Sequence, residues 1–155
     1  LAKLDLDQYT EQPFGERRSS MGSHLRHVIE HYYCFLRGLL HQGYLVDYDD
    51  RTRDELLETS VEYARNVLQA LIEELTNLLD QSSDKVLRIK IDSGSHDRVM
   101  EQEYGNSTYG RELQFLASHT VHHFALIDLY CHQMGISVPN GFGIAPSTIK
   151  FNQAR

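Results

Sequence analysis

The chain has 155 residues, of which 41% are hydrophobic and 24% charged, with a formal net charge of -7. That is the profile of a single globular domain, expected to span residues 1–155, with enough chain to bury a core. The acidic balance excludes a nucleic-acid surface built on clustered Lys and Arg, and no apolar run approaches the ~18 residues of a membrane span.

The opening LAKLDLDQYT lacks a basic region followed by an apolar core, so no signal peptide is expected in it. It reads as the end of a short amphipathic helix anchored by Leu4 and Leu6, stopped by Gln12-Pro13-Phe14-Gly15. A second helix is expected from about Ser20 to Gln42, capped by Ser19 or Ser20 and closed by Gly43. Its Met21, Leu25, Val28, Tyr32, Phe35 and Leu39 step by four and three, the spacing of a bundle helix. The segment Gly43 to Arg53 forms an acidic and aromatic connection.

A third helix is expected over roughly Thr59 to Gln81. Val61, Ala64, Val67, Leu68, Leu71, Leu75, Leu78 and Leu79 mark its buried face, which carries few polar groups and reads as scaffold. Between Ser83 and Ser107 the period changes to two. Leu87, Ile89 and Ile91 alternate with Arg88, Lys90 and Asp92, then Ser93-Gly94-Ser95 leads to Val99–Tyr104, the pattern of an antiparallel hairpin. A fourth helix is expected from about Thr108 to Gln133, closing at Gly135, and the remaining VPNGFGIAPSTIKF reads as a loop over the bundle.

Histidine is the unusual residue. There are nine, six of them in two short stretches, at 24, 27 and 31 and at 119, 122 and 123. At about 100° per residue, Glu112, His119 and His123 fall within an arc of about 40° on the fourth helix. That arc lies inside the apolar face of Phe115, Leu116, Leu126, Ile127, Tyr130 and Met134. Burying such groups unpaired costs roughly 1–3 kcal/mol each. A metal ion compensates directly, because neutral imidazole is a good ligand for Zn, Ni, Cu or Fe. The i, i+4 spacing lets both rings meet one ion. Two ligands are too few, and the second helix offers His24, His27 and His31. The helical wheel leaves that choice open and favours His31.

The segments Ser23-His24-Leu25-Arg26-His27-Val28-Ile29-Glu30-His31-Tyr32 and Leu116-Ala117-Ser118-His119-Thr120-Val121-His122-His123 resemble the two metal-binding helices of the DinB/YfiT-like superfamily. The likeness extends to the helix order, the long second connection and the final Phe-Gly-Ile-Ala-Pro-Ser-Thr. It implies a mainly α fold, a four-helix bundle in up-down-down-up order, with the small hairpin between helices three and four. The Gly43 to Glu58 connection is long enough for such a crossover. By position, the resemblance implies His27, His119 and His123 as the metal ligands. Three histidines leave open positions for water or substrate, as in catalytic sites.

Glu112 and Glu30 are candidates for tuning that site. Glu112 could orient His119 by accepting its second N–H, or could be a buried carboxylate paired with an Arg. Arg53 and Arg111 are candidates for an anionic substrate, surface ion pairs being the commoner use. Cys34 and Cys131 read as small packing residues, free thiols of a cytoplasmic protein rather than a disulfide framework.

The resemblance implies a divalent transition metal (Zn, Ni or Fe) and chemistry on a low-molecular-weight thiol or other small-molecule substrate. The enzyme would be a thiol-dependent transferase or a hydrolase. The alternative is a non-catalytic, metal-stabilised bundle serving as a stress-related binding module. A homodimer is expected from the family, with no nucleic-acid or membrane partner.

Overall fold

The structure, a computed structural model, describes residues 4–15, 19–78, 82–90 and 104–154. Among them the chain forms six helices and three strands, in the order α1 (Leu6–Thr10), α2 (Met21–Leu40), β1 (Leu45–Val46), α3 (Leu56–Thr59), α4 (Val61–Thr76), β2 (Val86–Lys90), β3 (Tyr104–Thr108), α5 (Tyr109–Gln133) and α6 (Pro146–Gln153). The fold is mainly helical, with a small sheet. No described helix is long and apolar enough to cross a membrane.

The long helices begin where their caps predict. The Ser20 hydroxyl accepts from the Ser23 N–H at 3.1 Å to open α2, and Thr108 accepts from the Arg111 N–H to open α5. Each cap satisfies a backbone donor that the first helical turn leaves without a partner. Met21, Leu25, Val28 and Phe35 of α2 are buried, and Tyr32 and Leu39 are half-buried.

Helix α2 is the hub, touching α1, α3, α4, α5 and β1. Two glycines permit that crowding. A Cβ on Gly22 would stand 2.3 Å from the Glu58 carbonyl oxygen, and one on Gly38 would stand 2.6 Å from Val46 Cγ2. The missing side chains let α3 and β1 press directly against the α2 backbone.

The expected hairpin exists as β2 and β3, antiparallel in the register Val86↔Thr108 to Lys90↔Tyr104. Leu87 is fully buried and Ile89 packs on the same cluster as Phe35, Val46, Tyr109 and Leu116. Of the expected second strand, Val99–Tyr104, only Tyr104 is described, and it opens β3, which runs on into the cap of α5; Ile91 and Ser93-Gly94-Ser95 also lie outside the described residues.

Four local expectations need correction. The acidic connection contains β1, which pairs parallel to β2 through Leu45↔Arg88 and Val46↔Ile89. The expected third helix is α4, but the connection before it carries a further short helix, α3, ended at Ser60, whose extended backbone (φ -134°, ψ 108°) and side chain cap α4. Leu6 is 54% exposed, and the anchor of α1 is Tyr9, fully buried and donating to the Leu57 carbonyl at 2.5 Å. The C-terminal segment is not all loop: Pro146 starts α6, its fixed φ suiting a first helical turn.

Candidate metal centre

Helices α2 and α5 pack face to face, and their histidines meet between them. The Nε2 atoms of His27 and His119 are 3.1 Å apart, and those of His123 and His119 are also 3.1 Å apart. His31 joins from the next turn of α2: His27, His31 and His119 each offer a ring nitrogen, all within 4.8 Å of one another. The rings stack edge and face at centroid separations of 4.2–4.9 Å. His123 and His31 are buried, while His27 and His119 are half-buried.

Such a cluster is costly when charged. Burial, then the neighbouring imidazoles, pulls His27 down to about 3 and His119 and His123 down to about 4. Burial also lowers His31 and His24. At neutral pH these rings are neutral and carry lone pairs, the state in which imidazole binds a metal.

Two of these contacts have the length that ligands sharing one transition ion would show. For metal–nitrogen distances of about 2.0–2.1 Å, ligand nitrogens at the corners of a tetrahedron stand about 3.3 Å apart. The His27–His119 and His119–His123 contacts, 3.1 Å each, come within a few tenths of an ångström of that edge, and the three rings whose ligand nitrogens all lie within 4.8 Å of one another are His27, His31 and His119.

The partners of the second ring nitrogens differ. His31 Nδ1 lies 2.8 Å from the His27 carbonyl oxygen, so it donates there and leaves its Nε2 lone pair free. His123 Nδ1 lies 2.9 Å from His24 Nδ1, and His24 Nε2 lies 3.2 Å from the Tyr130 hydroxyl. His27 Nδ1 lies 2.6 Å from the Arg51 guanidinium.

Residues 1–127 match the sequence profile of the DinB superfamily. The chain belongs to the DinB superfamily. Another relative of this DinB-superfamily chain is a Rhizopus delemar protein named FK506-binding protein 5, 33% identical over 109 residues. The match covers 68% of this chain and 27% of that protein, so the chain spans about a quarter of the curated relative it matches. No solved structure matches it.

The two candidate carboxylates of this DinB-superfamily chain stand away from the imidazoles. Glu112, 1% exposed, accepts from Tyr48 at 2.7 Å, Ser107 at 2.6 Å and Arg111 at 3.1 Å. It reaches the histidines through intermediaries: Tyr48, whose ring stacks on His31, and Arg111, which lies over the Phe115 ring that stacks on His119. Glu30 faces the α2–α3 connection, where it accepts from the Asp54 N–H at 2.8 Å. Its other oxygen, Oε2, lacks a hydrogen-bond partner.

Arg53, the candidate cation of the connection, is exposed, whereas Arg51 touches His27. His24, one of the three histidines that the second helix offers, stands behind the cluster and contacts His123. The i, i+3 spacing of His24 and His27 could have revealed His24; nothing periodic marks an Arg in a connection. Cys34 and Cys131 are buried free thiols, and burial raises Cys34 to about 11, consistent with packing roles.

Proposed function

We propose that the chain is a metal-dependent enzyme of thiol-transferase or hydrolase type, holding one divalent transition ion through His27, His119 and His123. The observation that carries this reading is the convergence of the His27 and His123 Nε2 atoms on His119 Nε2, 3.1 Å each. The up-down-down-up order of the family's bundle is part of the same reading, because it brings the second and fourth bundle helices (α2 and α5) into contact. Imidazole suits Zn, Ni and Fe alike. When bound, such an ion lowers the pKa of a coordinated thiol or water, supplying a nucleophile at neutral pH. The chain's own part is to hold the imidazoles neutral, to place their nitrogens together in the α2–α5 seam and, at His31, to fix the tautomer.

His31 favours a second reading. With its Nδ1–H given to a carbonyl and its Nε2 free, it is ready to be a fourth ligand, and a four-imidazole shell would have no open position. The protein would then be a metal-stabilised binding module.

Protein loaded separately with Zn, Ni and Fe is to be assayed with low-molecular-weight thiols plus electrophilic acceptors, and with ester and amide substrates. The enzyme reading expects turnover that His119→Ala abolishes. Metal-replete protein that turns over nothing across the panel favours the module. In that case His31→Ala should weaken metal binding as much as His123→Ala does.

A further inference from the structure

Arg51 and Glu30 both line one cavity, and each has an unmet hydrogen-bonding need. The cavity, about 310 Å³, is bounded by α2, α4 and the connection between α2 and α3, with Glu30, Cys34, Arg37, Arg51 and Asp54 in its wall. Arg51 Nε and Glu30 Oε2 are both buried without a hydrogen-bond partner. Arg26 Nε, likewise buried without a hydrogen-bond partner, lies 3.9 Å from Glu30 Oε2, and Arg26 pairs another guanidinium nitrogen with Glu58. An unmet buried donor or acceptor is destabilising, so the Arg51–His27 contact is not a fully satisfied arrangement.

The contact also fixes a tautomer. Guanidinium can only donate, so His27 Nδ1, 2.6 Å from Arg51, accepts and the ring proton sits on Nε2. Nε2 is the atom that faces His119. A neutral ring that gives its Nε2 lone pair to a metal carries its proton on Nδ1, where it would meet the Arg51 donor head-on. His31 and His123 do not have this conflict. The partner of His31 is a carbonyl, and the partner of His123 is another imidazole, which can donate or accept.

We propose that Arg51 is a built-in competitor of the metal for His27, and that metal binding transfers its guanidinium within the cavity to Glu30. The inference rests on the metal reading above. It makes Glu30 a positioning residue that acts through Arg51, and it gives the cavity a use: room for the guanidinium to turn. The exchange replaces a donor–donor conflict with an Arg–carboxylate pair and satisfies Glu30 Oε2.

The test is calorimetric titration of wild type, Arg51→Met, Glu30→Gln and the double variant with zinc(II) and, in parallel, nickel(II). Removing the competitor should tighten binding by about tenfold or more, the scale of one charge-assisted hydrogen bond. Glu30→Gln should weaken binding in wild type and have no effect in the Arg51→Met background. Nitrogen-15 spectra of the wild-type imidazoles give a readout independent of any variant's folding. The His27 proton should be on Nε2 before zinc is added and on Nδ1 after. Arg51→Met binding no tighter than wild type, or a proton already on Nδ1 before zinc, overturns the exchange and leaves the metal site standing. Absence of binding by all four proteins overturns both.

Discussion

His27 and His119 are 92 residues apart in the chain, yet their Nε2 atoms lie 3.1 Å from each other across the α2–α5 seam. Two neutral imidazole nitrogens at that distance repel unless a proton or a cation lies between them. The rest of the seam supplies neutral rings, so its stability and its metal affinity are both set by how protons are distributed among them.

Acid should therefore destabilise the chelator-treated protein. In the unfolded chain these histidines take up protons near pH 6.5, whereas burial holds His27 near 3 and His119 and His123 near 4 in the fold. Between those values the unfolded state binds more protons, so stability is greatest above about pH 6.5 and falls as pH drops toward about 4. Urea midpoints at pH 7.5, 6.0 and 5.0 should decrease in that order, with a shallower decline in the His119→Gln/His123→Gln double variant. Midpoints independent of pH over that range would show that the rings are not held neutral.

His24 should support the site without being a ligand. Its Nδ1 meets His123 Nδ1 at 2.9 Å and its other nitrogen meets Tyr130 at 3.2 Å. His24→Leu removes the hydrogen bond that orients His123, and loss of such a partner typically costs 10–100-fold in metal affinity. Competition with a colorimetric chelator measures this. His24→Gln, which can still accept, should recover part of the loss.

Glu112 should matter to folding more than to metal binding. Glu112→Leu leaves the Tyr48 and Ser107 hydroxyls without their acceptor, which should cost about 1–3 kcal/mol. Denaturant unfolding should show that loss, while zinc titration of the folded variant should change little. A large loss of affinity at unchanged stability would instead give Glu112 a role at the imidazoles.

Gly38→Ala should be destabilising by about 1–3 kcal/mol, because the new methyl meets Val46 Cγ2 at 2.6 Å and the Leu45 carbonyl oxygen at 2.7 Å. Thermal melts of the two proteins suffice. An unchanged melting temperature would mean that β1 is free to move away from α2.

The legible part of the sequence was its long-period part. Met21 to Leu39 and Phe115 to Met134 repeat at helical spacing over many turns, and Ser20 and Thr108 offer caps, so α2 and α5 could be placed closely. The pair His119 and His123 followed from i, i+4 geometry. The illegible parts are short or tertiary. Strand β1 has two residues, too few for a period, and exists because Gly38 lets it lie against α2 beside β2. Helix α3 has four residues, too few for a helical period to mark it within the connection. The wheel favoured His31 and the family pattern His27. In the fold both stand beside His119, because a packed α2–α5 seam admits more of the α2 surface than one ideal stripe. Arg51 could not have been chosen over Arg53, since only the path of the connection carries one inward and the other outward.

The central claim is that imidazoles gathered around His119 hold a metal ion. The most direct measurement is elemental analysis of protein purified without a histidine tag, comparing wild type with His119→Ala. Wild type should carry about one transition-metal ion per chain, and the folded variant should carry almost none. Equal metal content in the two proteins, or none in wild type after incubation with Zn, Ni or Fe, would contradict it.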